Sequence, residues 1–242
     1  MSIVLGIIYN EIGVVASDGR ITDGAYFEGG TLKTKGVIKS DEFNKTFEFK
    51  TKKIIGCYAG TVEFSNKSTT EHIGEILNLY SKENDGLEAT LLNLKTHLKQ
   101  RLEAISSTEI LFMHRKIDLI IVGYDETDKN SFKIYTYRFL PNLTSNTIDI
   151  IENNCPSDRK LKNQIYWYIF GDDHAQQYVN SFLDHATKNI QGKIERADLV
   201  NLAYKGNLAY KGIRYGIKNS GKYPFGDHDA CGGKPFVKKI QT

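Results

Sequence analysis

The sequence predicts an α+β protein built as a four-layer αββα sandwich, two stacked antiparallel sheets with a helix pair outside each. Three observations lead there. Apolar runs separated by short polar spacers in the first sixty or so residues read as two hairpins, which force neighbouring strands antiparallel. Two pairs of stretches with apolar residues at steps of three and four read as helices. Ile117 to Tyr124 is a nearly unbroken apolar run, the pattern of a strand covered on both faces. At 242 residues, with 40% hydrophobic content, residues 1–242 suit one domain with a substantial core.

The elements follow in order. Ile3–Ile8 and Val14–Ser17 flank the polar spacer Tyr9-Asn10-Glu11-Ile12-Gly13 and form the first hairpin. Residues 23–42, polar and rich in glycine, form a connection or an irregular strand pair. Lys45–Phe49 alternates with period two, Lys50–Lys53 turns, and Ile54–Tyr58 returns. Helices are expected from about Thr70 to Tyr80 and, after the Asn84-Asp85-Gly86 break, from Leu87 to about Ile105. Strands follow at Ile117–Tyr124, Phe132–Leu140, Thr147–Ile151 and Ile165–Phe170. A third helix opens at Asp172 or Asp173, both good N-caps, and a fourth runs from about Glu195 through Ala203. Near its end Asn-Leu-Ala-Tyr-Lys-Gly occurs twice, at Asn201–Gly206 and Asn207–Gly212. Glycines here either allow close helix packing or end the helix early. A loop over Gly221–Asp229 leads to a last strand, Pro235–Ile240.

Composition excludes several classes of function. A net charge of +3, small for this length and spread along the chain, argues neither for nor against nucleic acid, and no nucleic-acid partner is expected. The aromatic run Tyr166-Trp167-Tyr168 lacks the interleaved basic residues of a base-stacking platform and reads as core. Cys57, Cys155 and Cys231 form no CxxC pair, and their odd number suits a reducing, cytoplasmic setting. The first apolar run is broken at Asn10 and Glu11 and has no basic lead-in, so no signal peptide or membrane span is expected. Asp172-Asp173-His174 and Asp227-His228-Asp229 carry metal-ligand residue types without zinc spacing, so no metal and no cofactor is expected.

The two hairpins each bring a set of polar or glycine-bearing residues to an open end. With the first turn centred between Asn10 and Glu11, paired residue numbers sum to about 21, which sets Ser2 across from Gly19, between Asp18 and Arg20. With the second turn centred near residues 51 and 52, they sum to about 103, which sets Lys45 opposite Tyr58 and beside Ala59-Gly60-Thr61. A hydroxyl one residue into the chain, beside a carboxylate and a guanidinium, is the geometry of an N-terminal nucleophile.

These residues resemble the proteasome β-subunit family, which includes the bacterial HslV peptidases. In that family a strand opens at the catalytic threonine, and sixteen residues later an aspartate begins Asp-x-Arg-x-Thr-x-Gly. Here Ser2 is followed at that spacing by Asp18, and Asp18-Gly19-Arg20-Ile21-Thr22-Asp23-Gly24 matches each fixed position. The family's lysine falls on Lys45, after a longer connection, and its Ala-Gly-Thr turn falls on Ala59-Gly60-Thr61. Gly171 resembles its helix-opening glycine and Gly232-Gly233 its late glycine pair. The nucleophile position holds serine behind a methionine, and Asp172 replaces the family's serine after the glycine. The late aspartate falls on His228 with Asp227 and Asp229 beside it, and a one-residue shift in the loop makes Asp229 the equivalent.

The resemblance implies an N-terminal nucleophile hydrolase that cleaves peptide bonds once Met1 is removed. Ser2 attacks and its own α-amino group takes the proton; such a group has an ordinary pKa of about 7.7 to 8.0, which Lys45 would lower. Asp18 orients Lys45, the Gly60 amide stabilises the oxyanion, Asp229 supports the centre, and Arg20, Thr22 and Asp172 contact substrate. A peptide or unfolded protein is the implied substrate, a ring or related homo-oligomer the implied assembly, and an ATP-dependent unfoldase an implied partner. Two rival readings use the same fold: an inactive scaffold or partner-binding subunit, and a small-molecule amidase.

Overall fold

The computed structural model describes residues 2–9, 12–23, 26–28, 31–34, 37–105, 116–125, 131–142, 144–154, 165–190, 203–220 and 231–241. The strands before the first helix are β1 (Ile3–Tyr9), β2 (Ile12–Ser17), β3 (Ile21–Asp23), β4 (Tyr26–Glu28), β5 (Thr31–Thr34), β6 (Val37–Ser40), β7 (Thr46–Phe49), β8 (Ile54–Gly60), β9 (Glu63–Phe64) and β10 (Lys67–Ser68). Helices α1 (Thr69–Tyr80) and α2 (Leu87–Glu103) follow, then β11 (Ile117–Asp125), β12 (Ser131–Asn142), β13 (Thr147–Asn154) and β14 (Tyr166–Gly171). Helices α3 (Asp173–Ile190) and α4 (Ala203–Ser220) precede β15 (Phe236–Gln241). The chain is therefore a mixed α+β protein with two larger antiparallel sheets and, among the described residues, four α-helices.

Both hairpins have the register their turns predict. Val4 pairs with Ser17 and Tyr9 with Ile12 in the first, and Thr46 pairs with Cys57 and Phe49 with Ile54 in the second. The first hairpin is the middle of a four-stranded sheet ordered β14-β1-β2-β15; the second is one edge of a five-stranded sheet ordered β13-β12-β11-β8-β7. Every residue of β1 and β2 is buried, which is why neither strand alternates polar with apolar.

Burial falls into three clusters that follow the strand alternation. Ile73, Ile76, Leu77, Leu91, Leu94 and Leu98 of α1 and α2 pack on Tyr58, Leu119, Ile121 and Phe139 of the five-stranded sheet. Val179, Leu183 and Ile213 of α3 and α4 pack with Ile3, Leu5, Val14 and Ala16 of the four-stranded sheet. The opposite faces of the two sheets supply a third cluster, with Val4, Ile8 and Val15 meeting Ile55, Cys57, Ile120 and Val122. At about 25 cal/mol per Å² of apolar surface, burial on both faces of each sheet is the main stabilising term.

Three expectations are sharpened or changed. Of the two alternatives for residues 23–42 the irregular strand pair holds and is doubled: β3, which starts at Ile21, pairs with β6, and β4 with β5, each with a register irregularity. The second helix stops at Glu103, short of Ile105. The fourth helix does not end at the duplicated stretch: α4 runs through Gly206 and Gly212 to Ser220, and residues 191–202 lie outside those described. The reason is packing. A Cβ on Gly216 would stand 2.7 Å from Val179 of α3, and one on Gly212 would touch Val179 and Leu5, so missing side chains let α4 approach α3 and β1.

Candidate active site

The site is built at the open ends of the two hairpins. Ser2 directly precedes β1, Asp18 directly follows β2, and Lys45 directly precedes β7. The Asp18 N–H donates to the Ile3 carbonyl at 3.0 Å, which carries the first hairpin's pairing to its open end. In the second, the Tyr58 N–H donates to the Lys45 carbonyl at 3.1 Å, as the turn register requires.

Lys45 is the centre of the arrangement. Its side chain is fully buried, and its Nζ lies 2.8 Å from Ser2 Oγ, 2.9 Å from Asp18 Oδ1 and 2.6 Å from the Arg20 carbonyl. An ammonium carries three donors, and here three acceptors meet them. Asp18 is equally buried and accepts two further main-chain bonds, from the Ile3 N–H at 3.1 Å and the Gly232 N–H at 3.2 Å. Burial pushes the Asp18 carboxyl above its ordinary pKa, while the Lys45 charge and the bonds from Lys45, Gly232 and Ile3 pull it back. Ser2 is itself 6% exposed.

A second layer holds the stretch that carries Asp18. Arg20 grips Asp41 with two bonds, Nε to Oδ1 at 2.6 Å and Nη2 to Oδ2 at 3.1 Å. Its guanidinium lies flat on Gly232, where a Cβ would stand 2.2 Å from Cζ. The Gly19 N–H donates to the Gly232 carbonyl and the Lys234 N–H to the Asp41 carbonyl, so three distant segments close around the buried pair. Cys231 is buried here, and desolvation, with Asp18 and Asp172 nearby, raises its thiol pKa well above the ordinary value.

The Ser2 main chain is fixed from a third side. The Asp172 N–H donates to the Ser2 carbonyl at 2.9 Å, and Gly171, at φ +123°, has no room for a side chain because a Cβ would stand 1.8 Å from that carbonyl oxygen. The Asp172 carboxylate accepts from the Ala175 N–H at 2.9 Å, which makes it the N-cap of α3.

Of the residues expected at the site, Ser2, Asp18 and Lys45 come together, and Arg20 contributes its carbonyl to them. Gly60 ends β8 at φ +102°, two residues beyond Tyr58, with its Cα against the Lys116 carbonyl. Thr22 lies in β3 opposite Ile38. Asp172 caps a helix beside Ser2. Asp229, with Asp227 and His228, lies outside the described residues, as do Met1 and Gly24. Sequence reasoning misses Asp41: it is one of several acids in a polar connection, next to Glu42, and only the folded chain brings it to Arg20.

An α+β fold with a buried Ser-Lys-Asp cluster at the start of its first strand is the class these observations define. Its fold is shared with solved structures of Anbu, the ancestral beta-subunit. Anbu from Yersinia bercovieri superposes with a TM-score of 0.54 at 12% identity, covering 99% of this chain and 81% of that one. A mutant Anbu from Hyphomicrobium sp. strain MC1 gives 0.50 at 10% identity, covering 100% of this chain and 88% of that one. No protein-family model matches the chain, and no curated protein matches it. These findings correct the family drawn from the motif. The two solved structures above are Anbu proteins, and no family model, a proteasome β-subunit or HslV model included, matches the chain. A seven-residue pattern with one spacing is too short to fix a family.

Proposed function

We propose that the chain is a serine-type N-terminal nucleophile hydrolase that cleaves peptide bonds, with Ser2 as the nucleophile once residue 1 is gone. The observation that carries the reading is the buried line from Ser2 Oγ to Lys45 Nζ at 2.8 Å and on to Asp18 at 2.9 Å. A serine hydroxyl that accepts a bond from a buried ammonium has a stabilised oxyanion form and keeps its own proton free to leave. Because Lys45 already donates to three acceptors, the base is the α-amino group of Ser2 itself. Oγ attacks the amide carbon as the amine takes the Oγ proton, and the C–N bond then breaks as that proton passes to the leaving amine. Water, deprotonated by the same amine, cleaves the ester and restores Ser2. The Gly60 N–H is assigned to the developing oxyanion, a contribution commonly worth about 3 kcal/mol. Thr22 is assigned to the extended substrate and Asp229 to support of the centre. Asp172 acts here by holding the Ser2 carbonyl.

The same reading takes the fold as a four-layer αββα sandwich, supported by the three apolar clusters, and the working form as a cytoplasmic homo-oligomer. Leu79, Tyr80 and Leu92 on α1 and α2 are 70%, 41% and 56% exposed in the single chain, which supports a partner surface there. Sedimentation velocity checks the assembly; a monomer at working concentration removes that part of the proposal.

Intact mass and turnover test the chemistry together. The expected result is protein lacking Met1 that hydrolyses chromogenic peptides and is labelled by an acyl-transferring inhibitor. Ser2→Ala should lower turnover by at least about 10³-fold and abolish labelling. Full activity in protein that retains Met1 would overturn the assignment.

A further inference from the structure

The face of the sheets that carries Ser2 also carries a cluster of charges outside the catalytic set. Val4, Ala59, Ile120 and Ile134 belong to the apolar cluster between the sheets, and Phe170 packs against it. Strand alternation sends Ser2, two residues before Val4, to that face, together with Asp118, two before Ile120, and Arg138, four beyond Ile134. Asp118 pairs in register with Ala59 on one side and Arg138 on the other.

Asp118 has a side chain only 4% exposed and is shared by two cations, Arg138 Nε at 2.8 Å and Lys116 Nζ at 3.1 Å. Among the described residues the cluster therefore has one positive charge in excess. Its cations are open, with Arg138 36% and Lys116 43% exposed. Among the described residues, Nη1 and Nη2 of Arg138 make no other hydrogen bond. The Arg138 guanidinium sits over the Phe170 ring, 5.3 Å from its centroid, which fixes the plane in which it presents those donors.

Both ends of the cluster adjoin residues that pack on the assigned reaction centre. Phe170 precedes Gly171, which packs against the Ser2 carbonyl, and it pairs in register with Val4. On the other side the Lys116 carbonyl accepts from the Thr61 N–H at 2.9 Å and lies against Gly60. Nearby charges are already balanced: Lys45 against Asp18, Arg20 against Asp41, and Asp172 against the start of α3. We infer that Arg138, held by Asp118 and Phe170 and assisted by Lys116, forms a carboxylate-binding subsite beside the scissile bond. It favours substrates with an acidic side chain, or a free C-terminal carboxylate, within reach of Ser2. Half-exposed guanidinium pairing of this kind supports a preference of about tenfold over the neutral isostere, weakening as salt rises.

The inference rests on Ser2 as the reaction centre, and the test separates the two. In full-length protein carrying Ser2→Ala, fluorescence anisotropy measures the binding of labelled peptides that differ only by Glu or Gln at successive positions. Each peptide is made with a free or an amidated C-terminus, which distinguishes side chain from terminus. The expected result is one position, or the free terminus, at which the carboxylate binds about tenfold more tightly. Adding Arg138→Gln should bring that ratio near one, while Arg138→Lys keeps part of it. Thermal melts of both variants show whether the fold is retained. No carboxylate preference, or one that Arg138→Gln leaves intact in a folded protein, overturns the subsite. Turnover of the neutral peptides by protein with Ser2 reports on the nucleophile alone: its absence with the binding preference intact sinks the nucleophile and leaves the subsite.

Discussion

Two ion pairs hold the same short stretch after β2, and they differ in almost every physical respect. Lys45 and Asp18 are 0% exposed on both sides, whereas the Arg20 and Asp41 side chains are 13% and 45% exposed. The buried pair has no water to fall back on, so each partner must be met by the protein, as the three acceptors of Lys45 and the three donors to Asp18 do. The outer pair is bidentate and well aimed, yet solvent screens it. One pair is thus indispensable to the centre, and the other tunes the position of the segment that carries it.

The largest effect comes from breaking the inner pair. Lys45→Met leaves the Asp18 carboxylate buried without its cation and should destabilise the chain by about 3–5 kcal/mol, read as a lower urea midpoint, with peptide turnover lost. Adding Asp18→Asn to it should restore part of the stability and none of the turnover; a double variant no more stable than Lys45→Met would show that charge is not the cause. Next in size is Gly171→Ala, which keeps both pairs but forces a Cβ toward the Ser2 carbonyl at a positive φ. It should cost at least about 2 kcal/mol and lower turnover by displacing Ser2, while Asp172 still caps α3. Smallest is Asp41→Asn, at about 1 kcal/mol or less.

That last variant also has a pH signature. The hydrogen bonds from Arg20 hold the Asp41 carboxyl below its ordinary value; burial opposes them, and the Arg20 charge adds to the lowering. A depressed carboxyl contributes stability above its unfolded pKa, near 3.9, and loses that contribution as pH falls through its folded value. The stability gap between wild type and Asp41→Asn should therefore be present at neutral pH and close below about pH 4 in thermal melts. A gap independent of pH would assign Asp41 a packing role instead.

What could be read from the chain itself follows the same division. Turn-centred registers carried Ser2 to Asp18 and Lys45 to the end of β8 because a hairpin is local: the distance along the chain sets which residues face each other. Long-range partners left no such trace. Asp41 meets Arg20 across an irregular connection whose register no single turn sets, and Arg138 meets Phe170 only after strands of separate sheets align, although its pairing with Asp118 is itself a hairpin register. Asp172 shows the opposite case. Its N-cap role was legible, whereas its bond to the Ser2 carbonyl needed β14 laid beside β1. The duplicated hexapeptide was ambiguous for a related reason, since a glycine in a helix cannot be told from a helix end until the neighbour it admits, here Val179, is known.

The hydrogen bond between Ser2 and Lys45 crosses from one sheet to the other. Ser2 leads into the middle of the four-stranded sheet, and Lys45 leads into the edge strand of the five-stranded one. Neither hairpin, folded alone, contains both groups. Under the mechanism proposed above, a nascent or partly unfolded chain is therefore chemically silent, and the centre appears only when the two sheets dock. On that reading docking acts as an intrinsic safety catch, one that ties the reactivity of the hydroxyl to completion of the fold.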